Sequence, residues 1–401
     1  MYLPDTTHTS RMDARITRRQ YLLAGTSTVG VSIAGCSGGG EDPGSTDAPS
    51  TTPTGSGGER ETPQTTATPS AIETDPDRVA WRRDVGVEDY VTVHDGRLYG
   101  RRADGGALLA VDLTDREMAW SVDAVDPSPA PPAVDGRGLY VLTMDDVVVS
   151  LDHEGEQRWS GDGPPGSPRF SPIGRPTVAG DHVAVGGSGG AALLDAASGD
   201  RLQTYPGEGV AWAPVIREET VYYTAGDGRR PDSHRVYAMG IDGSERWQFP
   251  VGDSLYCGPA LGDGAAFVAS MDEYVYAIEA GSGEQRWRFE TPADNTGSSS
   301  QPVYADGTVF VHEGGDQVMF ALDAQTGDVV WRFPAPDVLT AVPAIAGDVV
   351  VTATPGHLLA IDRESGDLSW AVGLEESIYG PVVTEDFVLY VVEGTVVAVE
   401  R

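Results

Sequence analysis

One short pattern constrains this chain more than any other feature. Residues 320–331 read FALDAQTGDVVW. Relatives of that stretch recur as LLAVDLTDREMAW (108–120), VVSLDHEGEQRW (148–159), AALLDAASGDRLQ (191–203), VYAMGIDGSERW (236–247), VYAIEAGSGEQRW (275–287) and LLAIDRESGDLSW (358–370). With Trp81 in RVAWRRDV as a further member, the equivalent positions are 81, 120, 159, 203, 247, 287, 331 and 370. The intervals run from 39 to 44 residues, a period of about 42. Fixed periods of that size mark stacked or radial repeat architectures. Eight copies of one motif cannot all be active sites, so its first role is structural.

A second signal falls between the tryptophans. Examples are CGPALGDGAAFVAS (257–270), SQPVYADGTVFVH (300–312), VPAIAGDVVVTA (342–353) and GPVVTEDFVLYVV (380–392). Each is a short run with Pro, Ala, Gly or Val, then a tight turn, then a β-rich run. The Asp-Gly and Gly-Asp pairs supply the positive φ that two-residue hairpin turns require. Proline is tolerable at the start of a strand that lines a central channel, because one edge there is unpaired. Each repeat therefore spells four antiparallel strands, A to D from the axis outward, with the LLAVD-like segments as strand C and the tryptophan on strand D. No segment sustains a 3.6-residue periodicity, so helix content is expected to be minimal. After Trp370 the chain supplies three strands (IYGPVV, FVLYVV, TVVAVE), whereas RVAWRRDV at 78–85 is a fourth strand with no preceding three. Pairing them covers the sheet edge and closes a ring. The predicted fold is an all-β, eight-bladed β-propeller of four-stranded antiparallel blades, the last blade closed by the N-terminal strand. Seven blades plus a stray strand would leave two orphan segments.

The consensus A-x-D-x-x-(T/S)-G-(D/E)-x-x-W resembles the pyrroloquinoline-quinone (PQQ)-like β-propeller repeat, or tryptophan-docking motif, and the resemblance covers residues 77 to 401. It implies that the tryptophans at 81, 120, 159, 247, 287, 331 and 370 pack between neighbouring blades. Each ring buries roughly 150–250 Å². Repeat three departs from the pattern with Gln203, where Tyr205 is the candidate substitute, and repeat one lacks the turn glycine (DLTDREMAW). Two branches of the family are relevant. Quinoprotein dehydrogenases are similar in this repeat but carry long insertions, calcium ligands and usually a vicinal cysteine pair. Here the repeats stay near 42 residues and no Cys-Cys occurs. The other branch, typified by BamB of the bacterial outer-membrane β-barrel assembly machinery, resembles this chain in having a signal, a lipidated cysteine, a tether and a bare ring. The resemblance implies a non-enzymatic protein that binds partners through loops on one face.

Charge and the N-terminus bear on the cellular address. The chain has 61 acidic and 27 basic residues, a net charge of −34, and every basic residue is arginine. Self-repulsion of that size destabilises a compact fold, and molar salt, with a Debye length of roughly 3 Å, removes most of it. The composition points to an extreme halophile. It also makes nucleic acid and anionic headgroups poor partners. TRRQYLLAG (17–25) places Arg18 and Arg19 before a short apolar run and resembles a twin-arginine export signal. IAGC, ending at Cys36, resembles a lipobox. Residues 37 to about 75 are largely Gly, Ser, Thr, Pro, Ala and scattered acids and read as a flexible tether. The expected organisation is a signal peptide over 1–35, a tether over 36–75 beginning at a lipidated Cys36, and the propeller over 76–401. That places a monomeric protein on the extracellular face of the cytoplasmic membrane. With Cys36 modified, Cys257 has no intramolecular disulfide partner and is expected to be a small buried thiol.

Candidate sites are sparse. The seven histidines show no pair at metal spacing, and no G-x-S-x-G, H-E-x-x-H or phosphate-binding loop occurs. No catalytic, cofactor-binding or metal-binding residue is assigned, and PQQ is not expected to bind. The acidic pairs Asp145-Asp146 and Asp272-Glu273 fall in B–C turns, where a divalent ion is one reading and a solvated acidic turn the other. Two connections on the face shared by B–C and D–A loops are long. AGDGRRPDSHR (225–235) presents Arg229 and Arg230, and GDGPPGSPRFSPIG (161–174) presents Phe170. Loops on a rigid scaffold commonly carry binding, so this face is the expected site for a protein partner. The favoured reading is a lipid-anchored scaffold in envelope protein assembly or quality control. A PQQ-dependent dehydrogenase and a solute-binding propeller are the alternatives.

Overall fold

A computed structural model describes Gln64–Thr65 and residues 72–401, except 124, 165–174, 228–229, 292–300, 313–316, 377 and 379. The sheets are eight, each built on four antiparallel strands. Blade one comprises Val87–His94, Arg97–Arg102, Leu108–Asp112 and Glu117–Val122, and blade six comprises Val303–Ala305, Thr308–His312, Val318–Asp323 and Val329–Pro334. Blades two to five and seven repeat the plan, starting at Ala133, Thr177, Val210, Ala260 and Ala344. Blade eight takes Val382–Val383, Phe387–Val392 and Thr395–Glu400 from the C-terminal part of the chain and Val79–Asp84 as its strand D. The only helical segments among the described residues are two single 3₁₀ turns, Pro76–Arg78 and Pro231–Ser233.

No single core exists. The buried apolar residues form eight clusters, one at each seam between adjacent blades. The C strands show why. In Val318–Asp323, Phe320 and Leu322 face blade five, whereas Met319 and Ala321 face blade seven. A strand covered on both faces has no polar alternation, which is why these segments read as continuous apolar runs. The seam between blades eight and one joins Leu389, Val391 and Val396 to Val87, Leu98 and Leu109, so the ring is closed by packing as well as by strand pairing.

Every blade also carries a bulge that the repeat pattern does not announce. In all eight C–D pairs the register skips one residue of strand D beside the conserved position: Trp331 pairs with Ala321, but Leu322 pairs with Val329. A bulge bends its strand and re-aims a side chain. Here it sits beside the tryptophan that reaches the next blade. The indole N–H of Trp331 donates to the Arg363 carbonyl at 2.9 Å, and Trp120, Trp159, Trp247 and Trp287 donate likewise across their own seams. The turn glycine of the receiving blade lies against the ring. Gly327 (φ +75°) packs over Trp287, and a Cβ there would stand 2.7 Å from the indole. Only a residue without Cβ combines that φ with that approach. Asp323 completes the turn by accepting from the Gln325 and Thr326 amides at 2.9 and 2.8 Å. At the equivalent Asp362, amide donation from Ser365 is the main cause holding the carboxyl below the ordinary aspartate range.

The departures from the motif have specific substitutes. Gln203 lies over Gly243 and faces Leu193, where six of the other blades have alanine opposite tryptophan. Tyr205 supplies the seam hydrogen bond, its hydroxyl donating to Gly240 of blade four at 3.0 Å, and burial pushes the phenol up so that it stays protonated. In blade one, Arg116 occupies the glycine position with φ +63° and lays its guanidinium 5.1 Å from the Trp81 ring centroid. The left-handed conformation costs an L-residue roughly 1–2 kcal/mol, and a cation–π contact returns about 0.5–1 kcal/mol. Arg116→Gly is therefore expected to leave thermal stability nearly unchanged. Arg116→Val, which adds the extra cost of a β-branched residue in the left-handed region and loses the contact, is expected to lose about 1–2 kcal/mol. Equal melting of the valine variant and the parent chain would refute this account.

Two pieces of the segment read as a tether touch the ring. Gln64–Thr65 pairs in parallel with Trp331 and Arg332 on the outer strand of blade six. Ile72, the apolar residue of that region, packs against the cluster containing Trp331 and Phe333. Asp75 then donates its amide to Ala371 at 2.8 Å on the way into blade eight.

Candidate functional site

Antiparallel blades sort their connections onto two faces: A–B and C–D turns on one, B–C and D–A connections on the other. The A–B and C–D turns are short and acidic, with Asp95, Glu218, Glu219, Asp263 and Asp306 at A–B hairpin tips in positive φ. The opposite face is where large apolar side chains meet solvent. Of the seven exposed large hydrophobics among the described residues, Met144, Tyr256 and Val342 lie at B–C or D–A connections, Tyr90 lies at the register shift inside strand A of blade one, and Met118, Leu202 and Val330 lie on outer strands.

The best-formed part of that face is at blades four and five. Trp212, on strand A of blade four, meets Tyr256 edge-on with ring centroids 5.5 Å apart. Trp212 is nearly buried, whereas Tyr256 is 42% exposed. The D–A connection that carries Tyr256 is tied down: the Thr224 hydroxyl donates to the Cys257 carbonyl at 2.6 Å, and the Cys257 thiol is buried and donates to the Ala269 carbonyl at 3.9 Å. The described ends of the neighbouring connection are hydrogen-bonded to each other. The Ser233 hydroxyl accepts from the Asp227 amide at 2.8 Å and donates to the Arg230 carbonyl at 2.7 Å, capping the turn at Pro231–Ser233. Arg230 is 65% exposed and pairs with Glu208 at 3.5 Å and Asp227 at 3.9 Å, so its charge is partly answered. Arg229 and Phe170 lie outside the described residues, as do Arg18, Arg19 and Cys36.

The sequence reading did not single out Trp212 or Tyr256. The signal was present, because Trp212 is the one tryptophan of eight off the repeat register. The acidic pairs turn out to be turn positions. Asp146 and Glu273 have φ of +64° and +72°, and the Asp272 carboxylate accepts from the Tyr276 hydroxyl at 2.7 Å and the Gly252 amide at 2.6 Å, locking a B–C turn to a D–A connection.

The A strands enclose a cavity of about 300 Å³ on the channel, with Thr92, Pro132, Ala133, Val134, Arg175, Pro176, Thr177, Val178, Ala213, Pro214, Val215 and Gln301 around it. The threonines stitch neighbouring blades together: Thr92 donates to the Pro132 carbonyl at 2.7 Å and Thr177 to the Pro214 carbonyl at 2.6 Å. A calcium-assisted quinone needs several clustered oxygen donors. The lining has no acidic side chain, and among the described residues no three His, Cys, Asp or Glu side chains are grouped to hold a metal ion. These residues do not fit such a group.

Comparison with known proteins agrees with the ring and its seams. The family model of the outer membrane protein assembly factor BamB, built on the PQQ-like repeat, matches residues 68–230 and 232–401. The chain belongs to this family. BamB of Burkholderia pseudomallei is 27% identical over 144 residues, 34% of each chain. The serine/threonine-protein kinase AfsK of Streptomyces griseus is 35% identical over 131 residues, 30% of this chain and 15% of the kinase. The matches thus span about a third or less of these relatives' lengths. Among solved structures, BamB of Moraxella catarrhalis superposes with a TM-score of 0.65 at 16% identity, over 80% of this chain and 99% of that one. A europium-containing methanol dehydrogenase superposes with a TM-score of 0.61 at 15% identity, over 78% and 84%. At these identities the structural likeness concerns the fold. Among the described residues no helix is long and apolar enough to cross a membrane.

Proposed function

We propose that this BamB-family propeller is an exported, lipid-anchored scaffold without enzymatic activity, which binds a protein partner through its B–C and D–A face. The observation that carries the reading is the asymmetry of the two faces among the described residues, with Met144, Tyr256 and Val342 exposed on one of them. Exposed apolar side chains rimmed by polar residues mark interaction surfaces, and a half-exposed tyrosine held by a buried tryptophan has the form of an interface anchor. Arg229 and Arg230 would add a basic element on an otherwise negative surface. Arg18 and Arg19 support twin-arginine export, and Cys36 supports lipid attachment on the extracellular face of the cytoplasmic membrane. The acid-rich, lysine-free composition supports a brine habitat. Envelope protein assembly or quality control is the role the family membership supports.

Crosslinking on intact cells tests this. The parent chain is expected to capture a defined protein partner. Tyr256→Ala combined with Arg229→Ala and Arg230→Ala is expected to weaken that capture by the 2 kcal/mol or more typical of an anchor residue. Glu284→Ala on the acidic face is expected to leave it intact. An unchanged partner list in the triple variant would overturn this face as the site. Dye-linked oxidation of alcohols or sugars by the PQQ-supplemented protein would favour the dehydrogenase alternative.

A further inference from the structure

The cavity on the channel differs from the rest of the molecule in its charge. Acids outnumber bases by 61 to 27 over the chain, yet none of the residues around the cavity is acidic and one, Arg175, is cationic. Six arginines elsewhere in the ring, Arg97, Arg101, Arg102, Arg137, Arg286 and Arg363, stand in ion pairs. Among the described residues Arg175 has neither an ion pair nor a hydrogen bond. Its side chain is exposed, and the surrounding protein desolvates it enough to draw its pKa below the ordinary guanidinium value. A partly desolvated charge without a partner is destabilising and is relieved by an anion.

The remaining lining says which anion. Prolines 132, 176 and 214 with Val134, Val178 and Val215 make apolar walls, and Gln301 contributes one amide. The hydroxyls of Thr92 and Thr177 are engaged with backbone carbonyls. One cation answers one negative charge, so a dianion would keep an uncompensated charge in the cavity. A guanidinium presents a planar fork that matches a carboxylate. The volume of about 300 Å³ is at the lower end of small-molecule sites.

We infer that the channel cavity binds a single organic carboxylate with a compact apolar body, its charge on Arg175 and its body against the proline and valine walls. The carboxylate can be that of a free monocarboxylic acid or the C-terminus of an apolar peptide. The inference does not rest on the partner face.

The test is calorimetric titration of the full chain with hexanoate, with 1-hexanol as the neutral counterpart, and with a short apolar peptide carrying a free or an amidated C-terminus. Saturable binding of hexanoate, or of the free-ended peptide alone, is expected, with the alcohol and the amide at least tenfold weaker. The peptide arm separates the two sources of the carboxylate. Arg175→Gln is expected to lose at least tenfold in affinity, about 1.4 kcal/mol, while melting no lower than the parent without ligand. Arg175→Lys, which keeps the charge and loses the fork, is expected to fall between them and serves if the glutamine variant does not fold. Failure of both carboxylates to bind the parent chain, or equal binding by the Arg175 variants, would overturn the inference.

Discussion

Trp331→Ala is expected to destabilise the ring by about 3–5 kcal/mol, the range for emptying a large aromatic site. The indole is 1% exposed and is held on three sides. Its N–H donates to Arg363 at 2.9 Å, Gly366 lies against it so closely that a Cβ would stand 2.7 Å away, and Phe310 meets it at 5.7 Å between centroids. Strand ladders above and below hold the backbone, so the site cannot collapse to refill the cavity. Trp81→Ala is the control. That ring is only partly buried and its partner is the Arg116 guanidinium, so a loss of about 1–2 kcal/mol is expected. Denaturant unfolding of both variants measures the difference. Equal losses would mean that the seams do not depend on how the receiving turn encloses the ring.

Removing strand D of blade eight is expected to have a comparable effect through a different mechanism. Val79–Asp84 pairs with Thr395–Glu400 at five positions, and at roughly 1 kcal/mol per ladder hydrogen bond the loss is about 4–6 kcal/mol. It would also bare the edge of Thr395–Glu400, a ready template for intermolecular pairing. A chain beginning at residue 86 should therefore lose its cooperative transition or associate, as read by light scattering during thermal unfolding. Supplying residues 76–85 as a peptide should restore the monomer. A monomeric shortened chain with unchanged melting would show that closure contributes little to stability.

Which features the sequence discloses follows from their range. A hairpin turn needs positive φ within two or three residues, so Asp-Gly at 306–307 and the turn ending in Gly327 are visible in the string itself. The seam depends on a residue 32 to 37 positions away, and the string shows only one half of it. Gly366 against Trp331 and Ala321 opposite it become legible because the pattern repeats. Where the repeat breaks, the string stops being informative. Nothing local says that Arg116 will adopt a left-handed conformation and cover Trp81, or that Tyr205 will reach Gly240. The long loops that carry Arg229, Arg230 and Phe170 are what points to the proposed face in the string. Its aromatic pair was not, because Trp212 and Tyr256 are 44 residues apart on different blades.

The sequence by itself determined the all-β class, the period and the eight blades with an N-terminal closing strand. Each of these depends on alternation, turn chemistry and counting along one chain. The tertiary structure decided the bulge that aims every seam residue, the substitutes at the irregular seams, and the channel cavity where Arg175 stands without a carboxylate. The bulge depends on the pairing of strands C and D, the substitutes on two adjacent blades, and the cavity on side chains from four or more blades converging at one radius, relations invisible to any local pattern.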